Sequence, residues 1–174
     1  MGSRSITFSR ELWIEETDFA EVPPKGFRRL TVPADGSPAK PVRLRYGYVI
    51  VPTSFEKDAA GRVTVVHANY FPETKSGTEG SMSVKTKATI HWLDAQTARA
   101  AEFRVYDRLF NEPNPEAGEG SFLDHLTPNS KTILQGYVEP CTADAANEER
   151  FQFERTGYFV ADRKDHAPEH PVFN

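Results

Sequence analysis

The chain has 174 residues, with 21 Lys and Arg against 25 Asp and Glu, a formal net charge of −4 and a pI near 5.8. As a sum, that charge argues against a protein that grips nucleic acid through a general phosphate field, because counterion release by Lys and Arg supplies most non-specific affinity; the objection concerns the total and leaves a local basic surface open. With 38% apolar and 26% charged residues, a lone cysteine (Cys141), no run near the ~20 apolar residues of a membrane span and no charged-then-apolar leader, the expectation is a folded, cytosolic protein of one large or two small domains, independent of disulfides.

Thirteen Pro and eleven Gly interrupt the chain too often for long helices, and the recurring signal is that of strands. Short ones are expected at residues 12–14 and 27–32. Residues 42–51 (VRLRYGYVIV) alternate, with Val42, Leu44, Tyr46, Tyr48 and Ile50 on one parity and Arg43, Arg45 and Gly47 on the other, which predicts one strand. A turn over residues 57–62 then leads into a strand at 63–71 (VTVVHANYF) that pairs with it. Residues 84–93 alternate again, and Asp94 is positioned to cap the turn that follows. Strands are predicted at 102–110, 131–138 and 151–161, and Ser121 with Asp124 forms a capping-box pattern over a turn or two of helix. Many short strands imply an antiparallel barrel or sandwich.

No catalytic constellation stands out. His67, His91, His125, His166 and His170 lack metal-ligand spacing, Cys141 has no neighbouring base in sequence, and no nucleophile elbow, P-loop or dinucleotide fingerprint occurs, so neither catalytic residues nor a metal site are expected. Charge, in contrast, is segregated. Residues 25–48 hold Lys25, Arg28, Arg29, Lys40, Arg43 and Arg45 against Asp35 alone, a local charge of +5, and residues 11–21 hold five acids and no base. Arg43 and Arg45, two apart on the predicted strand, share a face that Gly47 leaves open to a flat ligand. Arginine presents a planar fork that pairs with base edges or phosphates and stacks on π-faces, whereas a solvated strand face neutralised by nearby acids is the plainer alternative. In residues 151–159 (FQFERTGYF) the alternation turns Phe151 and Phe153 inward and exposes the Gln152 amide; Arg155 falls on the opposite parity, so a bulge or strand end must intervene if both serve one ligand.

In order, these segments resemble the C-terminal anticodon-binding region of the glutaminyl-tRNA synthetases. The resemblance is carried by MGSR at residues 1–4, ELWIEETDF at 11–19, FRRL at 27–30, VRLRYGYVI at 42–50, IHW at 90–92, YDRLF at 106–110, PNP at 113–115, LQGYVEP at 134–140, FQFERTGYF at 151–159 and HPVFN at 170–174. It implies an all-β fold of two antiparallel six-stranded β-barrels, ribosomal protein L25-like, with residues 25–108 as the distal barrel and residues 1–24 and 109–174 as the proximal one. By motif, Arg28 and Arg29 match a basic pair at the third anticodon base, and Arg43 and Arg45 match arginines at the first base and its phosphate. Gln152 and Arg155 match the pair at the central uridine, whose Watson–Crick edge an amide satisfies. The implied partners are glutamine tRNA and a parent catalytic domain, with neither DNA nor membrane. The HIGH-like and KMSKS-like motifs of the Rossmann domain are absent from the chain, so the expectation is a recognition fragment, inactive alone and without a cofactor, whose parent uses ATP with Mg to attach glutamine. The barrel of a related glutamyl-tRNA synthetase and a free-standing L25-like module for structured RNA remain open alternatives.

Overall fold

The structure, a computed structural model, describes residues 4–117 and 120–174. It divides into two compact units, Thr7–Ala95 and, by a separate path of the chain, Met1–Ile6 with Gln96–Asn174.

In the unit Thr7–Ala95, β1 (Leu12–Trp13), β2 (Val42–Leu44), β3 (Val49–Lys57), β4 (Val63–Phe71), β5 (Thr89–Ile90) and β6 (Leu93–Asp94) form a four-stranded sheet in the order β4-β3-β2-β5 and a separate β1-β6 pair. The β3–β4 hairpin follows from its turn: the Asp58 carboxylate accepts the backbone N–H groups of Ala60 and Arg62, and Gly61 supplies a φ of +80°. Leu30, Val42, Leu44, Ile50, Ile90 and Trp92 make the core, with Phe8, Leu12, Ile14, Phe19 and Ala88 against it. Each fully buried large aliphatic side chain there contributes roughly 1.5–3 kcal/mol.

In the other unit, β7 (Arg99–Tyr106) lies between β8 (Lys131–Val138) and β11 (Val172–Phe173), while β9 (Arg150–Phe153) and β10 (Gly157–Val160) form a hairpin. A four-residue helix, α1 (Pro140–Ala143), and short 3-10 turns are the helical content here. The core gathers Ala101, Val138, Ala143, Ala145, Ala161 and Phe173, packed by Phe103, Phe151, Phe153 and Phe159. These rings meet mostly edge to face, as Phe103 does with Phe153 at 5.7 Å and an 79° interplanar angle. The Ser121 capping box forms as its sequence predicts, heading the 3-10 turn Phe122–His125.

The all-β expectation holds, but the detail differs. Among the described residues the ladders make sheets of four, three, two and two strands, with no closed barrel detected, and β2–β5 and β7–β11 pair in parallel. Residues 42–51 are not one strand: the chain reverses at 45–48, so the regular alternation spans a hairpin. Residues 151–161 likewise fold back at Glu154, Arg155 and Thr156. The alternation at 84–90 survives as alternating burial, but only Thr89–Ile90 joins a ladder there. Asp94 lies in β6, where its carboxylate accepts the Ser9 hydroxyl at 2.6 Å. Pairing accounts for the two units: β1 pairs with β6 and Phe19 bridges to Leu30 within Thr7–Ala95, while β7 is held by β8 and β11 in the other.

Candidate functional site

The basic island rests on the core of the unit Thr7–Ala95. Leu30, Val42 and Leu44 are buried there, so Arg29, Arg43 and Arg45, each adjacent in sequence to one of them, stand at the margin of that core. The Arg29 guanidinium donates to the Asp18 carboxylate at 3.1 Å and lies over the Phe27 ring, 5.3 Å from its centroid. Asp18 is fully buried, whereas the Arg29 side chain is one-third exposed. Backbone bonds from Leu30 N to Asp18 O at 2.9 Å and from Ala20 N to Leu30 O at 3.0 Å fix the two segments together. The Arg29 guanidinium is therefore held from one side, with its outer edge exposed. Its neighbour Arg28 is exposed and makes no hydrogen bond or ion pair among the described residues.

Arg43 and Arg45 do not share a strand face, because β2 ends at Leu44. Arg43 turns its guanidinium into a cage of acceptors: Thr74 O at 3.0 Å, Ser76 Oγ at 3.3 Å, Gly47 O at 3.4 Å and Ser81 O. Four contacts on two nitrogens tie residues 74–81 to the hairpin turn. Arg45 lies in that turn, its guanidinium 5.3 Å from the centroid of the Tyr46 ring, while its carbonyl accepts Trp92 Nε1–H at 2.9 Å. Gly47 lets the turn close on the core, since a Cβ there would sit 3.2 Å from Trp92 Cζ2 and 3.3 Å from Leu44 Cβ. Tyr46 has a φ of 56° and is 64% exposed. A bulky residue in the left-handed region stores strain of about 1–3 kcal/mol, which the surrounding bonds sustain and which puts the Arg45–Tyr46 pair outward.

Gln152 and Arg155 belong to the other unit and share the β9–β10 hairpin. Phe151, Phe153 and Phe159 pack inward, so Gln152 is exposed on the outer face as the alternation predicts. The strand end that the parity argument requires is present: β9 stops at Phe153, and Arg155 occupies the tip with a φ of 63°. Tyr46 and Arg155 are thus two of the three non-glycine residues with positive φ among the described residues, the third being Glu148. The sequence reading overlooked Tyr158, directly opposite Gln152 in the ladder and 82% exposed. Its signal was the turn hidden in ERTG; once the chain reverses there, Gln152 and Tyr158 must share a face. Asp18, which the charge pattern alone places in an acidic flank, is the buried acceptor that holds Arg29.

The charge distribution follows the units. Thr7–Ala95 carries twelve Lys and Arg against eleven acids, and the remainder nine against fourteen. Many acids are consumed internally: Asp18 by Arg29, Glu21 by Lys57, and Glu102, Asp162 and Asp165 by Arg104. Partial burial and the neighbouring Glu139 push the Cys141 thiol up, which keeps it protonated and a poor nucleophile. Among the described residues no three His, Cys, Asp or Glu gather where they could hold a metal ion, and no helix is long and apolar enough to cross a membrane.

Two profiles described as tRNA synthetases class I (E and Q), anti-codon binding domain, match residues 1–71 and 89–162. The chain belongs to this family. As a class I synthetase anticodon-binding chain it is similar over all 174 residues to proteins named glutamine–tRNA ligase: 59% identical to that of Cupriavidus metallidurans, 56% to that of Ralstonia pickettii and 45% to that of Nitrosomonas europaea. Each similarity covers 100% of this chain, but the chain spans only 29% of the first two proteins and 30% of the third.

Proposed function

We propose that this chain reads the anticodon loop of glutamine tRNA on behalf of a cytoplasmic glutamine–tRNA ligase, whose catalytic domain, elsewhere in a longer polypeptide, joins glutamine to the tRNA using ATP with Mg. The observation that carries this reading is identity of 52–59% over essentially the whole chain with proteins of that name. Arg29 and Arg28 contact the third anticodon base, the former pre-aimed by Asp18. Arg45 contacts the first base. Arg43 supports it chiefly by holding the adjoining loop, with its remaining N–H groups available to a phosphate. Gln152 pairs with the edge of the central uridine, and Arg155 reaches the same nucleotide from the hairpin tip. The outward, partly strained turns support this division of labour, because single-stranded bases are read after being splayed from their stack, each against its own side chains.

The family description covers both E and Q synthetases, so glutamate is the second substrate to test. Aminoacylation by a full-length polypeptide carrying this chain, run with glutamine and glutamate in parallel, is expected to charge glutamine only. In binding assays with this chain, Arg29→Ala and Gln152→Ala are expected to weaken glutamine tRNA more than a non-cognate tRNA. Equal weakening of all tRNAs would remove the base-reading roles and leave only general RNA binding.

A further inference from the structure

The outer face of the β9–β10 hairpin presents more than the Gln152 amide. Antiparallel register sets Tyr158 opposite Gln152 and Val160 opposite Arg150, and directly opposed side chains on one sheet face lie about 5 Å apart at Cβ. These four residues, with Asn174, line a surface groove that is largely open to solvent. The groove has a chemical gradient along it. Arg150 at one end is exposed and makes no hydrogen bond or ion pair among the described residues. Tyr158, at 82%, is more exposed than any other large aromatic side chain on the described surface. Asn174 is fixed by donating from Nδ2 to Asp162 at 2.6 Å, so that wall is rigid.

A lone exposed ring is ordinary on a protein surface. A ring facing an amide, beside an unpaired guanidinium and backed by packed phenylalanines, has the three elements that one unstacked nucleotide requires: a π-face, an edge reader and a phosphate contact. We propose that Tyr158 is the stacking platform for the nucleotide that Gln152 reads, and that Arg150 binds a phosphate flanking it. The tyrosine ring fixes the plane of the base, and the amide across the ladder then meets its edge. Stacking thus converts a flexible polar contact into a directional one, which makes Tyr158 a specificity-determining residue. The inference rests on the proposed anticodon-reading function but assigns roles that Gln152 and Arg155 alone do not carry.

The test uses this chain and a glutamine-tRNA anticodon stem-loop, with a second stem-loop abasic at the central anticodon position, in fluorescence anisotropy titrations. Tyr158→Ala is expected to weaken the intact stem-loop about 5- to 150-fold, the worth of one base–aromatic stack, and Tyr158→Phe to leave it unchanged. On the abasic stem-loop, Tyr158→Ala should have no effect. Arg150→Gln should reduce the slope of log K against log salt by about 0.7, one single-strand phosphate. Tyr158→Ala binding like the parent chain, or losing equally on both stem-loops, overturns the stacking role. If Gln152→Ala still relaxes selectivity at the central base, the anticodon reading stands without it. Failure of the unsubstituted chain to prefer the cognate stem-loop overturns both. The exposure of Tyr158 and Arg150 makes loss of folding an avoidable confusion, checked by circular dichroism of each variant.

Discussion

Substituting Arg43 separates two roles that an arginine in this position can fill, a phosphate contact or a lock on the loop behind the hairpin turn. Its guanidinium donates to Thr74 O, Ser76 Oγ, Gly47 O and Ser81 O. Hydrogen bonds to a charged group contribute about 1.5–3 kcal/mol each, but bonds sharing one guanidinium do not add in full. The loop also keeps bonds of its own, from Ser76 N to Gly47 O at 3.0 Å and from Val49 N to Thr74 Oγ1 at 2.8 Å. Arg43→Ala is therefore expected to lose about 3 kcal/mol of stability, and Arg43→Lys, which keeps the charge and loses the planar fork, about 1.5 kcal/mol. Urea unfolding followed by the fluorescence of the buried Trp92 reads this directly, because that ring belongs to the same core as β2. Binding to the anticodon stem-loop as a function of salt supplies the second measurement. A lock weakens binding while leaving the salt slope unchanged; a direct phosphate contact removes about 0.7 from it. An Arg43→Ala chain that unfolds within about 0.5 kcal/mol of the parent but loses that slope would refute the lock, since ordinary surface substitutions stay within that margin.

Two further predictions concern the acids that position basic groups. Asp18→Asn removes the charge beneath Arg29 and is expected to cost about 2 kcal/mol, below the 3–5 kcal/mol of a fully buried broken pair because Arg29 is one-third exposed; urea unfolding and cognate stem-loop affinity should both fall, whereas a fall in stability alone would mean Arg29 is not aimed at RNA. Asp162 is held down to about 2 by the Asn174 amide first, then by the backbone N–H groups of Asp165 and Lys164 and by Arg104. A depressed carboxylate stabilises the fold above its unfolded pKa, so about 2 kcal/mol should be present above pH 4 and lost progressively between about pH 4 and 2. Asp162→Asn should flatten that segment of the stability–pH curve measured by urea midpoints.

The strands were legible where a single local rule governs them. The segments Val63–Phe71 and Lys131–Val138 coincide with β4 and β8, the first because an Asp–Gly turn precedes it, the second because it is bounded by Ser130 and Pro140. Period-two alternation failed where the chain reverses without changing parity. In residues 42–51 the turn residues Arg45, Tyr46 and Gly47 look like strand residues, and the turn's need for glycine at 47 shows only in its close approach to Trp92, a contact across 45 residues of sequence. The short parallel strand β11 and the helix α1 escaped for a related reason: at two and four residues they are defined by their partners rather than by any pattern of their own. The exposure of Gln152 was legible because its phenylalanine neighbours set the inner face; that Tyr158 shares that face was not, because it depends on a cross-strand register.

The acidity of the chain also acquires a physical purpose once the pairs are known. A cation that reads one base has to be held in one orientation, and a flexible arginine carries about 2 kcal/mol of rotamer entropy that must be lost on binding. If Arg29 reads a base as proposed, Asp18 removes part of that cost in advance, and the Phe27 ring limits the remaining freedom of the guanidinium. Arg43 spends its donors on loop order, and Arg45 stacks on Tyr46. Each device restricts the orientation of its cation, and the Asp18 carboxylate also offsets the charge of Arg29. Binding by such a surface should be weak for arbitrary RNA and selective for splayed bases, so the net charge of −4 is compatible with the proposed base-reading role.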